Sequence, residues 1–186
     1  MLLVKYSHFL MANKSLTILI GLATIIASAY ISYDFELSGL IIPFTAQSLA
    51  VFVVAGLVNV RSFLIIIMSY LLLGVIGLPV FAGGSSGLEK LFGPSGGFLI
   101  GFLFSGLYIS QAIKSKITSA RVVVIMLVAT VILFAFGLAM LTFKFDWGKA
   151  LQYGFYPYWP MAIVKALLSA FIVVQIRRWW QTQNKA

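Results

Sequence analysis

The chain has 186 residues, 62% hydrophobic and 9% charged, with no Cys, a formal charge of +9 and a mean hydropathy of +1.08. Soluble domains average roughly 45–50% apolar and about a quarter charged, so these side chains exceed what a soluble core houses and point to an integral membrane protein. The absence of Cys excludes disulfides, thiolate catalysis and Cys-ligated metals, the single His8 makes no metal site alone, and the scattered cations form no basic face for nucleic acid.

At about 20 residues per membrane helix, the length accommodates six spans, short loops and no separate soluble domain. The expected fold is an all-α bundle of six transmembrane helices in one membrane domain. Apolar runs punctuated by charges, Gly and Pro place the spans at 15–33, 44–60, 62–79, 94–109, 122–143 and 157–176.

The first span follows Lys5 and Lys14, and its apolar run ending in Ala27-Ser28-Ala29 also imitates a signal peptide with a small-residue cleavage site. The run continues through Tyr30 and Ile31, long enough to span, which favours a retained helix. Ala23 and Ala27 form a small-residue stripe on it that suits either internal packing or an external partner helix. The second span carries Gln47 about one turn from its start, where an amide facing lipid is costly. It either bonds a neighbouring helix or reads a polar edge of a ligand. The second and third spans meet in a tight turn at Asn59-Val60-Arg61.

Between the third and fourth spans lies the loop 80–94, rich in Gly and Ser, which frees backbone N–H groups and hydroxyls for a polar ligand or serves as a flexible connector. Pro94 opens the fourth span. Gly93, Gly97, Gly101 and Ser105 give that span a stripe for close approach of another helix, most simply within the chain. Aromatic residues Trp147, Tyr153, Tyr156, Tyr158 and Trp159 cluster before the last span as an interfacial belt. Tyr158 and Trp159 also stand at the mouth of the helix that carries Lys165.

Loop charges set the orientation. Lys5, Lys14, Arg61, Lys114, Lys116, Arg121, Arg177, Arg178 and Lys185 fall on the side of the termini. Lys90, Lys144 and Lys149 fall on the other, with all four acids, Asp34, Glu36, Glu89 and Asp146. The positive-inside rule puts both termini in the cytoplasm, in a multi-pass protein of the cell membrane. The remaining cation, Lys165, lies inside the sixth span, about 12 Å along its axis at 1.5 Å per residue. A charge at that depth costs roughly 2.5–3.5 kcal/mol or more and normally has a partner. It either reaches headgroups or loop carbonyls, or pairs with the carboxylate of a ligand arriving from outside.

Catalysis lacks its parts: there is no paired intramembrane carboxylate, no Ser/His/Asp set, no HExxH and no phosphate-binding G-x-x-x-x-G-K-[ST]. The chain is expected not to be an enzyme and to carry no cofactor, and ATP-driven work would come from another subunit.

Three strings in order carry a resemblance: Pro43-Phe44-Thr45-Ala46-Gln47, then Tyr70-Leu-Leu-Leu-Gly-Val-Ile-Gly-Leu-Pro-Val-Phe81-Ala-Gly-Gly, then Phe92-Gly-Pro-Ser-Gly-Gly-Phe98. With the six-span layout, they resemble the BioY family, the biotin-specific S components of energy-coupling factor transporters. The resemblance implies a six-helix bundle that captures biotin near the outer face under outer loops. It further implies docking to a transmembrane coupling subunit with two cytosolic ATPases through small residues of the first helix, a pattern that Ala23 and Ala27 match.

The family's last helix opens with a segment like Pro-Phe-x-Pro-Gly-Asp-x-x-Lys. Here Pro157-Tyr-Trp-Pro160-Met-Ala162-Ile-Val-Lys165 keeps both prolines and the lysine, with Ala162 in place of the aspartate. On this reading Lys165 pairs with biotin's valerate carboxylate. Gly83, Gly84, Ser85 and Ser86 of the loop, with Gln47, Tyr158, Phe44 and Phe81, hold the ring system. Ala162 keeps open another small vitamin-like carboxylate as substrate. The same features also suit a solitary facilitator, or a non-transporting membrane assembly subunit built on the glycine stripe.

Overall fold

The computed structural model describes residues 13–37, 40–113 and 118–183, with the backbone alone for 34–37 and 40–44. Lys5, His8, Lys114, Lys116 and Lys185 lie outside the described residues. The chain runs through helix α1 (Lys14–Ala29), strands β1 (Ser32–Leu37) and β2 (Leu40–Thr45), and helices α2 (Gln47–Leu57) and α3 (Val60–Val75). It continues through α4 (Leu88–Phe92), α5 (Gly96–Ala112), α6 (Ser119–Thr142), α7 (Trp147–Gly154) and α8 (Trp159–Gln183).

Local chemistry fixes several helix starts. The side-chain oxygens of Asn13, Asn59, Thr118 and Asp146 accept the N–H groups of Leu16, Ser62, Arg121 and Lys149, at 3.2, 2.9, 3.4 and 3.0 Å. Each satisfies a donor that the first helical turn leaves open. Asn59 thereby makes the tight break between α2 and α3 that the sequence suggests at this place.

The helices sit at the expected apolar runs, but several of their ends differ. The first two spans do not extend to 33 and from 44. The segment between α1 and α2 is an antiparallel hairpin that pairs Ser32 with Thr45 through to Leu37 with Leu40, closed at its base by Ala46 N–H donating to the Ile31 carbonyl at 3.0 Å. Alternation of Tyr33, Phe35 and Leu37 with Asp34 and Glu36 is a strand pattern, and Pro43 is tolerated because a two-stranded ribbon consists of edges. The third helix ends at Val75 rather than 79, the fourth starts at Gly96 with Gly93 outside it, and the last runs on to Gln183. The loops on either side of the α5–α6 pair hold the additional short helices α4 and α7.

A core of side chains with no exposure includes Ile25, Val51, Phe63, Ile66, Ile67, Tyr70, Ile109 and Met126. Glycine governs the closest approaches. A Cβ at Gly106 would enter the Phe63 ring, and one at Gly97 would collide with the backbone of α6 at Phe136. Gly97 and Gly101 therefore seat α5 on α6, as the internal-packing reading of the stripe expects, and Ser105 turns its hydroxyl to the Gly101 carbonyl at 2.6 Å. At the far end of α8, Arg177 Nε donates to the Gly56 carbonyl and Arg178 to the Ser119 hydroxyl, both at 2.9 Å, tying α8 to α2 and α6.

The outward faces are apolar as well. Leu72, Val131 and Phe171 are each more than 60% exposed, an arrangement suited to lipid rather than water. By length and composition α6 and α8 are long and apolar enough to cross a membrane, accompanied by four shorter apolar helices, α1, α2, α3 and α5.

Candidate substrate-binding site

Beneath the hairpin and the 80–94 loop the helices enclose a cavity of about 750 Å3. Thr45, Gln47 and Ser48 form one wall at the start of α2, and Ala162 and Lys165 of α8 face it. Phe98, Leu99 and Phe102 of α5 and Leu133, Phe134 and Leu141 of α6 supply apolar walls. Phe81, Ala82, Ser85, Glu89 and Lys90 line it from the loop, and Lys144, Tyr153 and Tyr158 from the segment around α7.

Lys165 donates from Nζ to the Thr45 carbonyl at 2.6 Å, so a loop-side carbonyl offsets part of the cost of its position, as one of the two sequence readings expects. It lines the cavity at the same time. Ala162 lies one turn earlier on the same face, and both side chains reach the cavity, as three-residue spacing dictates. Ser169 bonds the Lys165 carbonyl at 2.7 Å, which ties this turn of α8 internally.

Gln47 is 2% exposed and its amide is held on both sides. Nε2 donates to Tyr70 Oη at 2.7 Å, and Oε1 accepts from Thr45 Oγ1 at 3.2 Å. It bonds a neighbouring helix and lines the cavity, so the two sequence readings of Gln47 are compatible. Tyr70 in turn meets the Phe81 ring edge-on at 5.5 Å between centroids. Gly74 makes room for that ring, since a Cβ there would fall inside it.

Among the loop residues singled out in the sequence, Phe81 and Ser85 reach the cavity, while Gly83, Gly84 and Ser86 do not line it. The glycines have a backbone task instead. Gly83 and Gly84 adopt φ of +63° and +72° in a single 3-10 turn, a conformation strained for other residues. Phe44 lies in β2 opposite Tyr33, and its side chain is outside the described residues. Tyr158 sits in the turn before α8 and lines the cavity with its ring 6.1 Å from Phe98, whereas Trp159 faces out, 44% exposed. Trp147 and Tyr156 are exposed too, as an interfacial belt requires, but Tyr153 turns inward against Phe145. Ala23 and Ala27 are exposed on α1 beside Ile20 and Thr24, so no described part of the chain covers that stripe.

Sequence reasoning missed Glu89, Lys90 and Lys144, read only as loop charges, and the aromatic wall of Phe98, Phe102 and Phe134. The three charged residues are exposed, which places them at the mouth, and Lys165 is half-buried farther in. Among the described residues the lining charges are thus three cations and one acid, a surface that favours an anionic ligand. Asp146 is outside this set. The Lys149 N–H at 3.0 Å and its ammonium at 3.5 Å hold the Asp146 carboxyl below the usual carboxylate range and stabilise the start of α7.

The BioY family model matches residues 5–182. The biotin transporter BioY2 of Lactococcus lactis subsp. cremoris is 39% identical over 78% of this chain and 81% of its own length. The biotin transporter BioY of Thermotoga maritima is 31% identical over 74% and 82%. Among solved structures, the S component for biotin from an ECF-type ABC transporter superposes with a TM-score of 0.76 at 24% identity, covering 86% of this chain and 87% of that one. With a family match over nearly its whole length and a relative this similar, the chain belongs to the BioY family.

Proposed function

We propose that this chain is a biotin-binding S component of an energy-coupling factor transporter. The observation that carries the reading is the cavity: about 750 Å3, within the roughly 300–1,000 Å3 of small-molecule sites, walled by aromatics and reached by Lys165, in a chain whose relatives are named biotin transporters. Apolar walls suit biotin's thiophane ring and aliphatic tail, a cation suits its carboxylate, and hydroxyl and amide groups suit its ureido edge.

In this reading Lys165 pairs with the valerate carboxylate. An arriving carboxylate joins or replaces the Thr45 carbonyl as partner of the ammonium, which has three N–H donors to share. Gln47, Ser85, Tyr158 and Phe81 contact the ring system, supported by the cavity lining they share. The loop charges and the apolar outward faces support a reading with six membrane-crossing helices in the plasma membrane and cytoplasmic termini. Helix α2 at 11 residues spans with the help of the strand that precedes it.

Delivery of the bound vitamin to the cytoplasm needs energy that no phosphate-binding motif of this chain supplies. A transmembrane coupling subunit and its ATPases fill that role, docked on the exposed Ala23 and Ala27 face of α1. Ala162 beside Lys165 favours one second reading, a different small vitamin-like carboxylate as substrate, since the family's acid is absent from the cavity.

The test is a thermal-shift screen of purified protein with biotin, desthiobiotin and lipoate. Biotin should raise the melting temperature most. Stabilisation by lipoate alone would move the substrate to another carboxylate, and no stabilisation by any would favour an assembly subunit.

A further inference from the structure

The segment between α3 and α4 leaves the bundle and returns to it at one carbonyl. The N–H groups of Gly77 and Gly87 both donate to the Gly74 oxygen, at 3.2 and 2.8 Å, and both glycines hold positive φ, +104° and +99°. A Cβ at Gly77 would meet nothing within 4 Å, so glycine stands there for its backbone freedom and not for space. Between these two points the chain is stapled to itself. The Phe81 N–H donates to the Ser85 carbonyl and the Gly84 N–H to the Phe81 carbonyl, each at 2.9 Å, and the Ser85 hydroxyl to the Ala82 carbonyl at 2.8 Å. A short self-bonded turn between two glycines has the anatomy of a hinged flap. Its inner side, Phe81, Ala82 and Ser85, lines the cavity.

A side chain of the first helix ties this turn down. Tyr30, at the end of α1, donates its hydroxyl to the Pro79 carbonyl at 2.5 Å. The direction of that bond is fixed, since a carbonyl only accepts. The Tyr30 ring runs beside Gly84, where a Cβ would come within 3.4 Å of it, so hydroxyl and ring hold the turn at two places.

We propose that residues 78–86 are a flap over the cavity, hinged at Gly77 and Gly87, and that Tyr30 is its latch, setting how fast ligand is exchanged rather than how tightly it is held. The inference rests on the biotin reading and deepens it. Phe81 fills the notch at Gly74 and meets Tyr70 edge-on, which keeps the hinge end seated while the 82–86 end swings. Neither Tyr30 nor Pro79 lines the cavity. Their bond therefore favours the shut flap equally with or without ligand, and its loss opens both states by the same factor.

The variant Tyr30→Phe removes the hydroxyl and keeps the ring. Association of biotin with detergent-purified protein is followed by stopped-flow fluorescence, and dissociation by chasing bound radiolabelled biotin with excess unlabelled biotin. Tyr30 is more than half exposed, and loss of one hydrogen bond at such a site corresponds to about a threefold effect. Both rate constants should rise about threefold, with the dissociation constant within about twofold of the parent and the melting temperature without biotin close to the parent's. Tyr30→Ala also removes the ring beside Gly84 and should raise both rates further; either variant that folds carries the test.

Rates that stay at the parent values overturn the proposal, since ligand then passes by Glu89, Lys90 and Lys144 with the flap shut. Association and dissociation that change by different factors also overturn it, because Tyr30 then acts by pressing Phe81 and Ser85 onto the ligand. Both results leave biotin binding intact, whereas failure of the parent protein to bind biotin overturns the functional reading itself.

Discussion

Replacing Lys165 with Met keeps an unbranched apolar stem in the cavity and removes the charge. In the structure the ammonium lines the cavity and donates to the Thr45 carbonyl at 2.6 Å, so the substitution strips this charge-assisted hydrogen bond from the empty protein and, on the reading above, a charge pair from the complex. Removing one partner of a buried charge pair costs roughly 2–5 kcal/mol. At about 1.4 kcal/mol per decade, affinity for biotin should fall between about thirtyfold and a few thousandfold. Chemical modification of the ligand supplies the other half of a cycle, since biotinamide has no carboxylate charge. Parent protein should bind biotinamide far more weakly than biotin, and Lys165→Met should bind the two within about threefold of each other. Calorimetry on detergent-purified protein reads all four combinations. If biotin affinity in Lys165→Met stays within about twofold of the parent, or if biotinamide loses as much in the variant as in the parent, the carboxylate does not pair with this lysine.

Other predictions follow from the same geometry. Gly74→Ala places a methyl inside the Phe81 ring, and the displaced ring should lower stability by roughly 1–3 kcal/mol and weaken biotin binding, both visible in thermal melts with and without ligand. Ala23→Trp with Ala27→Trp on the exposed face of α1 should abolish co-purification with coupling and ATPase subunits while leaving biotin affinity unchanged; retained co-purification would place the docking surface elsewhere. Neutralising the mouth with Lys90→Gln and Lys144→Gln should slow biotin association about fivefold at low salt, since each charge contributes roughly 0.5 kcal/mol across ~8 Å of water. The difference should vanish at high salt with dissociation unchanged, and stopped-flow fluorescence separates the two rates.

The long helices were legible because apolar runs of this length have few alternatives, and the Asn59 break because a cap residue sits between two of them. The hairpin was not, although Tyr33 to Leu37 alternate. The following Leu40-Ile41-Ile42 run is short and wholly apolar, and such a run reads equally as the start of a helix. At the site, Lys165 stood out as a charge in an apolar segment and Gln47 as an amide in one. Phe98, Phe102 and Phe134 carried no such contrast, since an aromatic in a membrane helix looks the same facing lipid, core or cavity. Gly83 and Gly84 were read for the N–H groups that glycine-rich loops offer; in the structure they lie outside the cavity lining, and their positive φ serves the turn between Phe81 and Ser85. Tyr70 belonged to a recognisable string, yet its bond to Gln47 joins residues 23 apart, a pairing that only the folded bundle reveals.

Equilibrium dialysis of radiolabelled biotin against the purified chain tests the central claim most directly. Saturable binding of one biotin per chain, competed by unlabelled biotin and lost in Lys165→Met, is the predicted result. No saturable binding at ligand concentrations up to about 100 µM, which corresponds to less than about 5.5 kcal/mol of binding free energy, would contradict it.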